Sequence, residues 1–259
     1  MSANGEGLGR VVTVALGLCL VCSVVVSTAA VLLKPAQQAN KTLDLKRNIL
    51  MAAGLLDTSK SVEEQFEQVE TRIVDLDQGR FVDGIDPAAF DQREAAKDPN
   101  QSRAIPTDKD VAKLVRREDQ ALVYLVRTQA GVLDKIILPI RGYGLWSTLY
   151  GFMALESDGN TVAGLGFYEH GETPGLGGEV DNPRWKSLWP GKQVYRDDQL
   201  SIQVLKGSVP AASDNAKWQV DGLSGATLTT KGVDNLVRYW LGDEGFKPLL
   251  DNLRRGEVS

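Results

Sequence analysis

Asp221-Gly-Leu-Ser-Gly-Ala-Thr-Leu-Thr-Thr230 governs how the rest of this chain is read. Small and hydroxylated residues here lead into Val233, Leu236, Val237, Trp240 and Leu241, whose helical spacing marks one buried face. The threonines therefore sit at a helix N-terminus, where free N–H groups and the positive dipole end favour an anion. Gly225 and Ala226 leave the main chain open to a bulky phosphate. The same residues also read as an ordinary Ser/Thr N-cap.

Working outward, Trp218-Gln-Val220 is a short strand entering the stretch, and Leu200 to Lys206 alternates as a strand with Ile202 and Val204 on one face. Asn182-Pro183 caps a short helix that Pro190-Gly191 ends. Ser147 to Glu156 and Thr161 to Glu169 are strands joined by the hairpin signal Ser157-Asp-Gly-Asn160. Before them, the glycines of Arg141-Gly-Tyr-Gly-Leu-Trp146 permit sharp bends, and Trp146 reads either as core or as the border of a flat ring. Leu122 to Arg127 and Lys135 to Ile140 are earlier strands, with Pro139 predicting an edge or bulge. Phe246, Leu249, Leu250 and Leu253 form a last apolar helix set. Strands precede helices and hairpins are tight, so an α+β domain with antiparallel strands and flanking helices is expected, its core beginning near Ala121.

Ser224-Gly225-Ala226-Thr227, with Asp221 ahead of it, resembles the flavinylation motif of bacterial FMN-binding domains. His170-Gly-Glu-Thr-Pro-Gly-Leu-Gly177 resembles the same family's flavin-pocket loop. The resemblance implies covalent FMN, joined through its phosphate to the Thr227 hydroxyl by a flavin transferase. Thr173, Gly175, Leu176 and Gly177 would then lie against the ring. Lys206 would put positive charge near the ring, or is a solvated strand-end lysine. Glu172 would tune the potential or bond the ribityl chain; alternatively Glu172 and Thr173 order the loop. His170 reads as structural.

Val11 to Leu33 carries no charge over about 23 residues, roughly 35 Å as a helix, enough to cross a bilayer core of about 30 Å. It exceeds the apolar core of a signal peptide, so an uncleaved anchor is expected. Arg10 opposed by Glu6 leads it, and Lys34, Lys41, Lys46 and Arg47 trail it. That bias mildly favours a cytoplasmic trailing side. The family resemblance implies the reverse: a single-pass protein of the bacterial inner membrane with its flavin domain periplasmic. Cys19 and Cys22 fall within the span; Ser23 follows where a haem site needs His, so the thiols read as packing.

The expected domains are tail and anchor over 1–34, a linker with juxtamembrane helices over 35–74, a solvated polar insertion over 75–120, and an FMN-binding domain over 121–259. Within the linker, Thr42 to Leu56 reads as one helix. Ser61-Val-Glu-Glu64 reads as a capping box opening another, through Val62, Phe66, Val69 and Ile73. A net charge of -5 argues against nucleic acid, and one histidine with no cysteine beyond the span argues against a metal centre. Gly175-Leu-Gly-Gly178 is not a dinucleotide fingerprint, since Val180 replaces its last glycine. Anchor, insertion and carboxy-terminal flavin domain together resemble the C-subunit family of the sodium-translocating NADH:quinone reductases. That resemblance implies an electron relay among integral membrane subunits, with no complete active site in this chain and ubiquinone as the complex's acceptor. The G-type subunit of the related Rnf complex, a membrane-anchored flavin sensor or assembly factor, and a flavin-free scaffold are the alternatives.

Overall fold

The computed structural model describes residues 7–257, so Glu6 and the amino terminus lie outside the described residues. The chain divides into two compact units, Met1–Leu45 and Lys46–Ser259. Helix α1 (Leu8–Ala52) makes up the described part of the first and contributes its last turns to the second. The linker expected from residue 35 does not interrupt the helix, which runs through Pro35. A helix-interior proline costs one hydrogen bond and crowds one carbonyl, but the Ala36-Gln-Gln-Ala39 segment beyond it has the propensity to continue. Among the described residues this is the one helix long and apolar enough to cross a membrane, with mean hydropathy 2.5. Gly54 ends it at φ +67°, and the Leu55 N–H reaches back to the Leu50 carbonyl at 2.8 Å.

A six-stranded antiparallel sheet organises the second unit. Its strands are β1 (Val69–Asp75), β2 (Arg80–Phe81), β5 (Gln120–Arg127), β6 (Leu133–Tyr143), β7 (Thr148–Glu156) and β8 (Val162–Glu169), in the order β2-β1-β5-β6-β7-β8. The α+β expectation holds. The helix expected over Val62 to Ile73 does not: α2 (Val62–Phe66) is a single capped turn, and Val69 onward is the strand pairing with β5 along its length. The core therefore begins well before Ala121. Pro139 lies in an interior strand, but the β5 ladder stops at Ile137, so the proline meets no demand for an N–H on that side.

Alternation gives the sheet two buried faces. Val123, Leu125, Ile136, Leu138 and Leu165 share one core with Leu236, Trp240 and Phe246, from α5 (Thr227–Trp240) and the turn before α6 (Lys247–Arg254). Tyr124 and Phe152 lie on the other, where their rings meet edge-on at 5.8 Å and Phe66 meets Tyr124 at 6.3 Å. The end of α1 covers this side so closely that a Cβ on Gly164 would collide with the Ala52 carbonyl oxygen.

The segment 75–120 carries α3 (Gln92–Ala95) and the antiparallel pair β3 (Ser102–Ala104) and β4 (Arg116–Glu118). It is less solvated than its composition suggests. Arg117 and Glu118 are fully buried. Arg117 reaches Asp77 at 2.5 Å and the Glu244 carbonyl at 2.6 Å; Glu118 receives Gln92 at 2.6 Å and Arg141 at 2.5 Å. Leu200 to Lys206 is no continuous strand either. It holds half of a hairpin, β9 (Tyr195–Arg196) with β10 (Gln199–Leu200), and then β11 (Gln203–Val204), which pairs in parallel with β12 (Gln219–Val220). Ile202 and Val204 are buried as expected. Asn182 caps α4 (Pro183–Lys186) through the Arg184 N–H at 2.9 Å.

Candidate functional site

Three segments meet at the first turn of α5: the bend after β6, the loop after β8, and the 221–230 stretch itself. The side chain that joins them is Glu172. Its Oε1 accepts from the N–H groups of Leu145 at 3.0 Å, Trp146 at 2.9 Å and Ser147 at 3.3 Å. Its Oε2 accepts from the Thr229 hydroxyl at 2.6 Å. Burial opposes its charge, but the Thr229 hydroxyl and the three amides outweigh that and hold the carboxyl below the ordinary glutamate range. Glycines make the approach possible. A Cβ on Gly144 would lie 2.6 Å from Oε1, and one on Gly177 would lie 2.7 Å from Oε2. Gly232 of α5 faces Gly144 with equal closeness, its Cβ position 2.8 Å from the Gly144 Cα.

The loop after β8 is ordered from within. The Thr173 carbonyl accepts from Leu176 at 3.1 Å and Gly178 at 2.9 Å, and Gly175 turns the chain at φ +74°. His170 takes the Glu172 N–H on Nδ1 at 3.2 Å, so Nε2 bears the proton directed at Asp181, 2.8 Å away. The imidazole thus ties the loop to Asp181. Leu176 projects outward, and its Cδ2 lies 3.3 Å from where a Cβ of Gly225 would stand, which brings this loop against the Ser-Gly-Ala-Thr motif.

Four hydroxyls at the start of α5 have different fates. Thr229 is engaged by Glu172, and Thr230 accepts the Leu223 N–H at 3.0 Å; both are buried. Ser224 and Thr227 are exposed. The N-cap is Ala226, with no side-chain capping bond, so the Ser/Thr cap allowed by the sequence is not made. The first-turn amides, which no helix satisfies internally, stay available beside Thr227. Trp146 is 66 % exposed and is not core. Leu228 and Leu176, on the other two segments, are exposed as well. Lys206 is exposed too, and its carbonyl carbon lies 3.2 Å from a Cβ position on Gly222.

The residues singled out from the sequence thus sit on the three converging segments, except Lys206, which lies alongside against Gly222. Thr229 was missed, although it extends the 233/236/237/240 stripe one turn toward the N-terminus and so was due to point inward. The Leu145 N–H bond to Glu172 was also missed; nothing in that residue's spacing sets it apart from other exposed leucines.

Relatives match along the whole length. The C subunit of the Na+-translocating NADH-quinone reductase of Pseudomonas aeruginosa is 55 % identical, covering 99 % of this chain and 100 % of that protein. The chain belongs to this family of C subunits. The Vibrio alginolyticus C subunit is 48 % identical, with both chains covered in full. The family profile of the FMN-binding domain matches residues 144–242, which hold the converging segments. A crystal structure of Shewanella oneidensis NqrC aligns with a TM-score of 0.77 at 37 % identity, covering 84 % of this chain and 99 % of that one. The C subunit from Parabacteroides distasonis aligns at 0.63 and 28 % identity, covering 86 % and 96 %.

The C-subunit site fits an FMN. Its helix start has no side-chain cap, an arrangement that favours an anion; Thr227 offers an exposed hydroxyl near a glycine at φ +72°, and Trp146 and Leu176 expose the apolar surface that a flat ring needs.

Proposed function

We propose that this chain is an electron-relay subunit of a membrane-bound, sodium-translocating NADH:quinone reductase, carrying FMN on Thr227 through a phosphoester. The observation that carries the reading is the sorting of hydroxyls: Thr229 and Thr230 are consumed inside the fold, Ser224 and Thr227 stay exposed, and of these two Thr227 is the one in the uncapped first turn of α5. Ser224, Gly225 and Ala226 would let the phosphate approach the main chain. Trp146, Thr173, Gly175, Leu176 and Gly177 would border the ring, Glu172 would hold their segments in place, and Lys206 would supply positive charge. The bound flavin supplies one- and two-electron redox chemistry; the chain's own residues bind and orient it and perform no bond-breaking step. Donor and acceptor sites would belong to other integral membrane subunits of the complex. A flavin transferase would make the attachment, and the flavin domain would lie on the periplasmic side of a single-pass anchor.

The test is co-expression with a flavin transferase, a denaturing gel viewed under ultraviolet light, and peptide mass mapping. The expected result is a fluorescent band whose Thr227 peptide is heavier by FMN minus water, and a dark band for Thr227→Ala. A dark wild-type band, with the transferase active on another substrate, refutes the covalent reading.

A further inference from the structure

Two glutamates are buried among the described residues, and their charges are handled differently. Glu118 is paired with Arg141 at 2.5 Å. Glu172, 5 % exposed, makes no ion pair with any described residue; three N–H groups and one hydroxyl hold it. Dipoles stabilise an anion locally without cancelling its net charge, so nearby groups still feel a negative charge. The nearest of these groups are the ones assigned to the flavin. The Trp146 N–H is bonded to this carboxylate, a Cβ on Gly177 would lie 2.7 Å from it, and Thr229, whose hydroxyl it accepts, is two residues from Thr227.

Building on the FMN reading, we infer that Glu172 holds down the reduction potential of the bound flavin by keeping a negative charge, without an ion-pair partner, in the loop that would border the ring. An electron entering the flavin from a reductant adds one negative charge to the site unless a proton follows. The carboxylate opposes that addition and holds the potential down. Glu172 acts here through space and through the loop it orders; it transfers nothing itself.

The experiment uses the full chain matured with the transferase, as wild type, Glu172→Gln and Thr229→Val, titrated with dithionite in a spectroelectrochemical cell. The glutamine keeps an acceptor for the three amides and loses the charge, whereas Thr229→Val keeps the charge and loses one hydrogen bond. Amide exchange at Leu145, Trp146 and Ser147 is measured in parallel on chains made without the transferase. The expected result is a higher midpoint for Glu172→Gln and a midpoint near wild type for Thr229→Val. At the wild-type midpoint, the ratio of reduced to oxidised flavin in Glu172→Gln should rise roughly tenfold, the bias of a unit charge about 10 Å away at an effective dielectric of about 20. Exchange at the three amides should match wild type. Equal midpoints overturn the inference, as does loss of flavin from Glu172→Gln. So does a shift accompanied by fast exchange, which would assign the effect to a loosened loop. A wild-type chain without flavin is a separate result: it removes the FMN reading and this inference with it.

Discussion

Gly177 has no room for a side chain. A methyl there would lie 2.5 Å from the Thr229 hydroxyl and 2.7 Å from the Glu172 carboxylate, the two partners of the bond that closes the site. Gly177→Ala must push them apart, which for a packed position costs about 1–3 kcal/mol. A urea titration should show that loss, while circular dichroism should keep its helix signal because α5 is anchored elsewhere by Val233, Leu236 and Trp240. At this scale the sequence was half legible. The glycines and hydroxyls announced a close approach, and Glu172 stood out beside them. The bond from Glu172 to Thr229 spans 57 residues of chain, and no local pattern reports it.

Among the elements, the hairpin of β7 and β8 and the amphipathic α5 were legible because each carries its own period and its own turn or small-residue signal. β1 was not. Val62, Phe66, Val69 and Ile73 fit a helical repeat, yet the helix stops after Phe66 and the apolar residues beyond it belong to a strand in which Val69, Ile73 and Val74 are buried. A short apolar run satisfies either period, and pairing with β5 decides the matter. The junction of α1 with the sheet was equally hidden, since it depends on Gly164 meeting a carbonyl from a helix more than a hundred residues away. Gly164→Ala would drive its methyl into that carbonyl oxygen, and backbone cannot rotate aside as a side chain can. The expected outcome is a loss of about 3 kcal/mol or more, with early amide exchange at Ile49 to Ala53 as the last turn lifts from the sheet.

For the molecule as a whole, the division at residue 45 separates a helix with exposed apolar side chains from a unit with its own core. Ile49, Leu50, Ala52 and Ala53 belong to that core, at 0 to 3 % exposure. Removing residues 1–40 is therefore expected to give a soluble chain whose melting temperature, by calorimetry, matches that of the full chain in detergent. Removing 1–54 should lower it sharply, because each large side chain taken from the core forfeits about 1.5–3 kcal/mol. The unequal exposure of Ser224, Thr227, Thr229 and Thr230 also limits which hydroxyls a modifying enzyme could reach before and after folding. An enzyme meeting the nascent, unfolded polypeptide would find four neighbouring alcohols of similar reactivity and would give a mixture. Once α5 has docked, two of the four are withdrawn. A label found on Thr229 or Thr230 would thus be a record of modification ahead of folding, and a slow-folding variant should betray itself by such labels.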